Sequence, residues 1–206
     1  MAIPKKEDSN QKFRDALLHR WTDGRSPIEQ RISIFSHIRD IPYAIVPEWL
    51  DSDDIIRMMI TENRGWCGPK HQLLFWMFER LGIRIRPVYI PFRWQDQPVR
   101  YPDSFRTYFS VLPPTNHLFC EVDLGGGWQV LDATWDPPLR HAGFPVNEPW
   151  NGISGTIPAV TRVTQGEVSG SVQPSRDRPM KRIGFVSHLN RWLSEVRTDS
   201  NNQESE

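Results

Sequence analysis

Cys67 is the first residue whose type and setting could do chemistry. It lies in Arg64-Gly65-Trp66-Cys67-Gly68, where the apolar spacing predicts a helix from about 67 to 81. A thiol at a helix start meets the positive end of the helix dipole, which favours its thiolate. Gly65 and Gly68 would let a substrate backbone approach closely, and Trp66 would line the same place. Free N–H groups at the helix start would hold an oxyanion. A small buried core residue is the other reading of a lone cysteine, and position alone leaves both open. A nucleophilic cysteine needs a base, and the base needs an orienting group. Six histidines are available, at 19, 37, 71, 117, 141 and 188. His71 is one helical turn after Cys67 and shares its face. His117 opens a predicted strand, and Asp132 lies on the strand after it.

The two strands test each other. Residues 117, 119, 121 and 123 share one face, and Leu118, Cys120, Val122 and Leu124 share the other. One phase of the next strand joins Leu131, Ala133 and Trp135 to Leu118, Cys120 and Val122 as a single apolar face. That phase puts His117 and Asp132 together on the opposite face. It makes Cys120 a core residue, turned away from His117, and a poor disulfide partner. The phase requires an even loop, and residues 124–127 are preferred, pairing 123 with 128 and 119 with 132. Positive φ is expected at Gly126 and Gly127.

The elements that must position these residues follow from periodicity. Residues 1–8 read as disordered. Ser9 to Trp21 reads as a helix carrying Phe13, Leu17, Leu18 and Trp21. Ser26-Pro27-Ile28-Glu29 signals a helix start, with a capping box and proline at the first helical position. Pro42 ends that helix. A third helix is expected near Asp51-Ser52, with Asp53 and Asp54 in its first turn. In the helix at 67–81 the expected core positions are Leu74, Met77, Phe78 and Leu81, with Gly82 as its cap. The period then changes to two, and 83–94, 104–112, 117–124 and 128–135 read as strands. Residues 136–179 read as long loops that could drape over a cleft. Phe185, Leu189, Trp192, Leu193 and Val196 suggest a last amphipathic helix, followed by the polar tail TDSNNQESE. Helices first and strands afterwards predict an α+β fold with an antiparallel sheet.

Composition narrows the function classes. The 206 residues carry 25 basic and 25 acidic side chains, so nucleic acid and anionic membranes are not expected partners. No apolar run approaches the ~18 residues of a membrane span. The N-terminal MAIPKKEDSNQKF lacks the apolar stretch of a secretory signal, and the expected location is cytoplasmic. Two cysteines exclude a disulfide scaffold and a four-cysteine zinc site. The acidic residues do not follow calcium-loop spacing, and no metal or cofactor is expected.

The stretch GWCGPKHQLLFWMFERLGIRIRPVYI resembles the transglutaminase-like superfamily. So does NHLFCEVDLGGGWQVLDATWD, with a histidine strand, a glycine turn followed by Trp, and an Asp-x-Thr strand. IRDIPYAI resembles the segment that often precedes that core. The resemblance covers roughly residues 30–136. Ala133 departs from it, since many members have Pro there. It implies a papain-like core, helices packed on an antiparallel sheet, with Cys67 as nucleophile, His117 as base and Asp132 as orienting acid. The implied reaction is acyl transfer through a thioester, resolved by water or an amine, with a peptide, protein or other amide as substrate. The catalytic domain would span 26–163, after an extension at 1–25 and before a loop, helix and tail at 164–206. Two other functions are weighed. An arylamine N-acetyltransferase-like acyl-coenzyme A transferase shares the triad order, but here Arg64 lies three residues before the cysteine rather than four. A non-catalytic binding module would have lost a triad residue, and all three positions are filled. Oligomeric state stays open.

Overall fold

The computed structural model describes residues 6–162 and 181–203. Helix α1 spans Lys6–Thr22, α2 Pro27–Arg39, α3 Ile55–Thr61 and α4 Cys67–Arg80. Strand β1 follows at Arg84–Phe92, then a short α5 at Arg106–Phe109, β2 at Thr115–Asp123 and β3 at Trp128–Leu131. A last helix, α6, spans Lys181–Gln203. The class is α+β, and the three strands form one antiparallel sheet in the order β1-β2-β3. Among the described residues, no helix is long and apolar enough to cross a membrane.

Local chemistry accounts for most boundaries. The capping box at α2 is present: Ser26 N–H donates to Glu29 Oε2 at 2.8 Å, and Glu29 N–H reaches back to Ser26 Oγ at 3.5 Å. Helix α4 ends at Arg80, and Gly82 just past its cap takes a φ of 72° that suits glycine. It lays Leu73, Leu74, Met77 and Phe78 into the core, where they pack against β1 and β2. Leu81 is only partly buried.

The hairpin pairs Asp123 with Trp128 and Cys120 with Leu131, so residues 124–127 form the turn. The positive φ falls on Gly125 (103°) and Gly127 (90°) rather than on Gly126. The cause is Asp123, whose Oδ1 accepts the N–H groups of both residues at 2.8 and 3.3 Å. Cys120 and Cys67 are free thiols.

Several expectations are corrected. Helix α1 begins by Lys6 and so takes in residues 6–8. Residues 104–112 are not a strand: a 3-10 turn at Asp103–Phe105 runs into α5. Phe105, Tyr108 and Phe109 recur at three and four residues, a helical spacing, and their rings pack against Phe185 of α6. Helix α3 starts at Ile55, because a 3-10 turn at Pro47–Trp49 occupies the approach and the Asp54 carboxylate bonds Arg57 instead of capping. Strand β3 leaves its ladder after Leu131. Residues 198–203 of the polar tail are helical, with Ser200 Oγ donating to Pro138 O at 3.2 Å. Residues 1–5, 163–179 and 204–206 of the expected terminal and loop segments lie outside the described residues.

Helix α6 is fastened to the segment that leads from α2 toward α3. Asn190 exchanges two hydrogen bonds with the backbone of Ile45. Arg197 holds Asp136 through Nε at 2.6 Å and Nη2 at 2.8 Å, and Nη2 also donates to Tyr43 O. Asp136 accepts the Tyr43 N–H as well and is nearly sealed from water. Arg197→Met should therefore leave a buried, unpaired carboxylate and cost about 3–5 kcal/mol. Urea unfolding would measure this as a lower midpoint at unchanged slope. A loss under about 1 kcal/mol would mean the pair behaves as a surface ion pair.

Candidate active site

Cys67 occupies the first helical position of α4, with Trp66 at the cap. The approach is fixed by a bridge between Tyr43 and Gly65, in which Gly65 N–H donates to Pro42 O and Ala44 N–H to Gly65 O. The first helical bond is Lys70 N–H to Trp66 O at 3.3 Å. The N–H groups of Cys67 and Gly68 therefore have no intrahelical acceptor, and Pro69 at the third position has no N–H to satisfy.

The two glycines make room for the protein's own side chains. A Cβ at Gly65 would lie 2.7 Å from Met59 Cγ, and one at Gly68 would lie 2.8 Å from the Trp66 indole nitrogen. Trp66 thus lies over the first turn of α4 and packs near Trp49, with ring centroids 6.3 Å apart.

His117 comes from β2, opposite Ile90 of β1. Its Nε2 bonds Asp132 Oδ2 at 2.8 Å, and Cys67 is among the groups that favour the charged ring. The imidazole stacks on Phe119, 5.9 Å between centroids, and meets Phe92 edge-on. Burial works against its charged form. The Asp132 charge and hydrogen bond, together with Cys67, outweigh burial and lift the His117 pKa to about 10. These partners favour the imidazolium form of the ring.

Asp132 sits one residue past the end of the ladder, fully buried, and its carboxylate is saturated. Oδ2 accepts from His117 and from Ala159 N–H at 2.9 Å, and Oδ1 accepts from Thr134 Oγ1 at 2.6 Å and Thr134 N–H at 3.2 Å. Burial raises its pKa, but the His117 charge and these donors outweigh that and hold it below the usual carboxylate range. The loop after β3 supplies much of this cradle. Thr156 Oγ1 accepts the Asp132 N–H, Asn147 Nδ2 donates to Asp132 O, and Trp135 Nε1 donates to Ala159 O. The described part of the 136–179 loops thus packs around the acid.

His71 does not point a nitrogen at the thiol. Its Nδ1–H donates to Cys67 O at 2.9 Å and its Nε2 accepts Ala133 N–H at 3.0 Å. Those partners assign the neutral tautomer, and burial pushes its pKa down to about 4. Cys120 is fully buried on the other face, its Sγ 3.6 Å from His71 O, and burial and Asp132 push its pKa up.

Lys70, Ala159, Thr156 and Asn147 were not anticipated. Lys70 had a legible signal: it precedes Leu74, Met77 and Phe78 by four, seven and eight residues, so it lies on the apolar stripe of its helix. The three loop residues carry no such pattern. Among the described residues, no group of three or more His, Cys, Asp or Glu is arranged to hold a metal ion.

No protein-family model matches the chain, and no curated protein matches it. Among solved structures it is similar to the "Putative Cysteine Protease" from Cytophaga hutchinsonii, at 20% identity and a TM-score of 0.41. The match covers 67% of this chain and 42% of that one, less than half of its length.

Proposed function

We propose that the chain is a cysteine-dependent acyl-transfer enzyme, built on a papain-like, transglutaminase-like core and hydrolysing peptide or other amide bonds. The observation that carries this reading is the buried His117–Asp132 pair, whose 2.8 Å Nε2–Oδ2 bond fixes the ring's orientation; Cys67 at the start of α4 is among the groups that act on that ring. In this reading the Cys67 thiolate attacks the acyl carbon. The oxyanion that forms is met by the N–H groups of Cys67 and Gly68, and Trp66 lines the approach. The His117 imidazolium gives its Nδ1 proton to the leaving amine as the C–N bond breaks, leaving a thioester on Cys67. Water then attacks the thioester carbonyl while His117 takes its proton. The C–S bond breaks, the carboxylic acid leaves, and the Cys67 thiolate and His117 imidazolium are restored. Asp132 keeps the ring in one orientation and stabilises its charged form.

The test is a mass measurement. Native protein is mixed with activated acyl esters and with fluorogenic peptide amides, then quenched in acid. The expected result is an acyl adduct on the peptide containing Cys67, absent from Cys67→Ala. The absence of any Cys67 adduct, or an equal adduct in the Cys67→Ala protein, would sink the reading. Turnover of an acyl-coenzyme A in place of peptide amides would move it to the acetyltransferase class.

A further inference from the structure

We infer that Lys70 and His71 form a clamp that sets Asp132 against the nucleophile helix, an inference that rests on the triad proposed above. Both side chains are fully buried, on consecutive residues of α4, one turn after Cys67. The β2–β3 ladder stops at Leu131, so the buried backbone beyond it must find other partners. It finds them on α4. His71 Nε2 accepts the Ala133 N–H at 3.0 Å, and Lys70 Nζ donates to Thr134 O at 2.8 Å. These contacts fasten the two residues that directly follow Asp132.

The other ends of the clamp are equally specific. The His71 ring spans from the carbonyl of Cys67 itself to the amide beside Asp132. Lys70 Nζ also donates to Arg39 O at 3.0 Å, at the last residue of α2. Its two carbonyl acceptors match the two hydrogens of a neutral amine, and burial pushes its pKa down to about 7. His71 must stay neutral for the clamp to close. A protonated Nε2 could not accept from Ala133, and it lies 3.5 Å from Asp132 Oδ1, where it would compete with His117 for the carboxylate. The charged and titratable groups facing the clamp are Asp132, His117 and Cys67 at the triad, and Asp136, Arg197 and Asp40 around Lys70. Lys70 and His71 are thus positioning residues, since neither nitrogen set touches the reacting atoms.

Two substitutions separate the roles of the ring. In His71→Asn the amide can still donate to Cys67 O but falls short of Ala133. In His71→Gln the side-chain oxygen reaches the Ala133 N–H and the bond to Cys67 O is lost. The readout is the pH titration of the His117 imidazole by nitrogen-15 NMR, which needs no substrate. His71→Asn should lower the His117 pKa by about one unit or more, because Asp132 is no longer held against it. His71→Gln should restore most of that shift. Lys70→Met should lower it in the same direction, and it decides the question if His71→Asn is too unstable to titrate. Folded His71→Asn and Lys70→Met proteins with His117 titrating as in the wild type would overturn the clamp. Failure of the triad reading looks different: wild-type His117 itself would titrate near the ordinary ~6.5, before any variant is compared.

Discussion

Limiting iodoacetamide at pH 6 is expected to alkylate Cys67 and to leave Cys120 untouched, with a selectivity of roughly a hundredfold or more. Both cysteines are free, and their surroundings differ in kind. Cys67 keeps 9% exposure and Cys120 has none. Cys67 stands at a helix start, at the first position of α4. Cys120 lies on the apolar face of β2, where burial and the Asp132 charge hold its proton on. Peptide mapping of the adducts reads the outcome. Equal labelling, or preference for Cys120, would remove Cys67 as the nucleophile.

His117→Ala is expected to reduce turnover by about 10²- to 10⁴-fold, the contribution of a positioned acid–base group. The alkylation rate of Cys67 at pH 6 should fall with it, because the charged ring that would assist the thiol is removed. The fall should be largest in the range where the wild-type ring is charged, which extends up to about pH 10. Above that, wild type and variant should converge, since the wild-type ring no longer carries the charge. His71 is the control that separates base from support. Its nitrogens are engaged by Cys67 O and Ala133 N–H, so its loss should cost far less, roughly tenfold through the displaced acid. A larger effect at His71 than at His117 would reverse the assignment.

The relation between β2 and β3 shows how much a local pattern can carry. Alternation along 117–124 and 128–135 has one phase that buries the apolar residues, and that phase puts His117 and Asp132 on one face. The observed pairing of Asp123 with Trp128 has the odd sum that this requires. Register was legible because a one-residue slip would have moved Cys120 and Val122 into water. The start of α4 was legible for a similar reason, since its core stripe and Gly82 bound it on both sides. Residues 104–112 were not legible as helix, because a short aromatic run fits either period until its partner is known, and here the partner is α6.

By itself, then, the sequence determined the α+β class, the helix start under Cys67 and the strand phase that pairs His117 with Asp132. These depend on interactions within a few residues or across one tight turn. The tertiary structure decided what surrounds that pair. Ala159 and Thr156 reach Asp132 from 27 and 24 residues away, and Lys70 and His71 reach residues 134 and 133 across 64 and 62. Such bonds exist because the chain leaves its ladder at Leu131 and its buried backbone groups must be satisfied by whatever packs against them. No periodicity encodes that choice, since one hydrogen-bonding side chain satisfies an amide as well as another until the fold brings a particular one within reach.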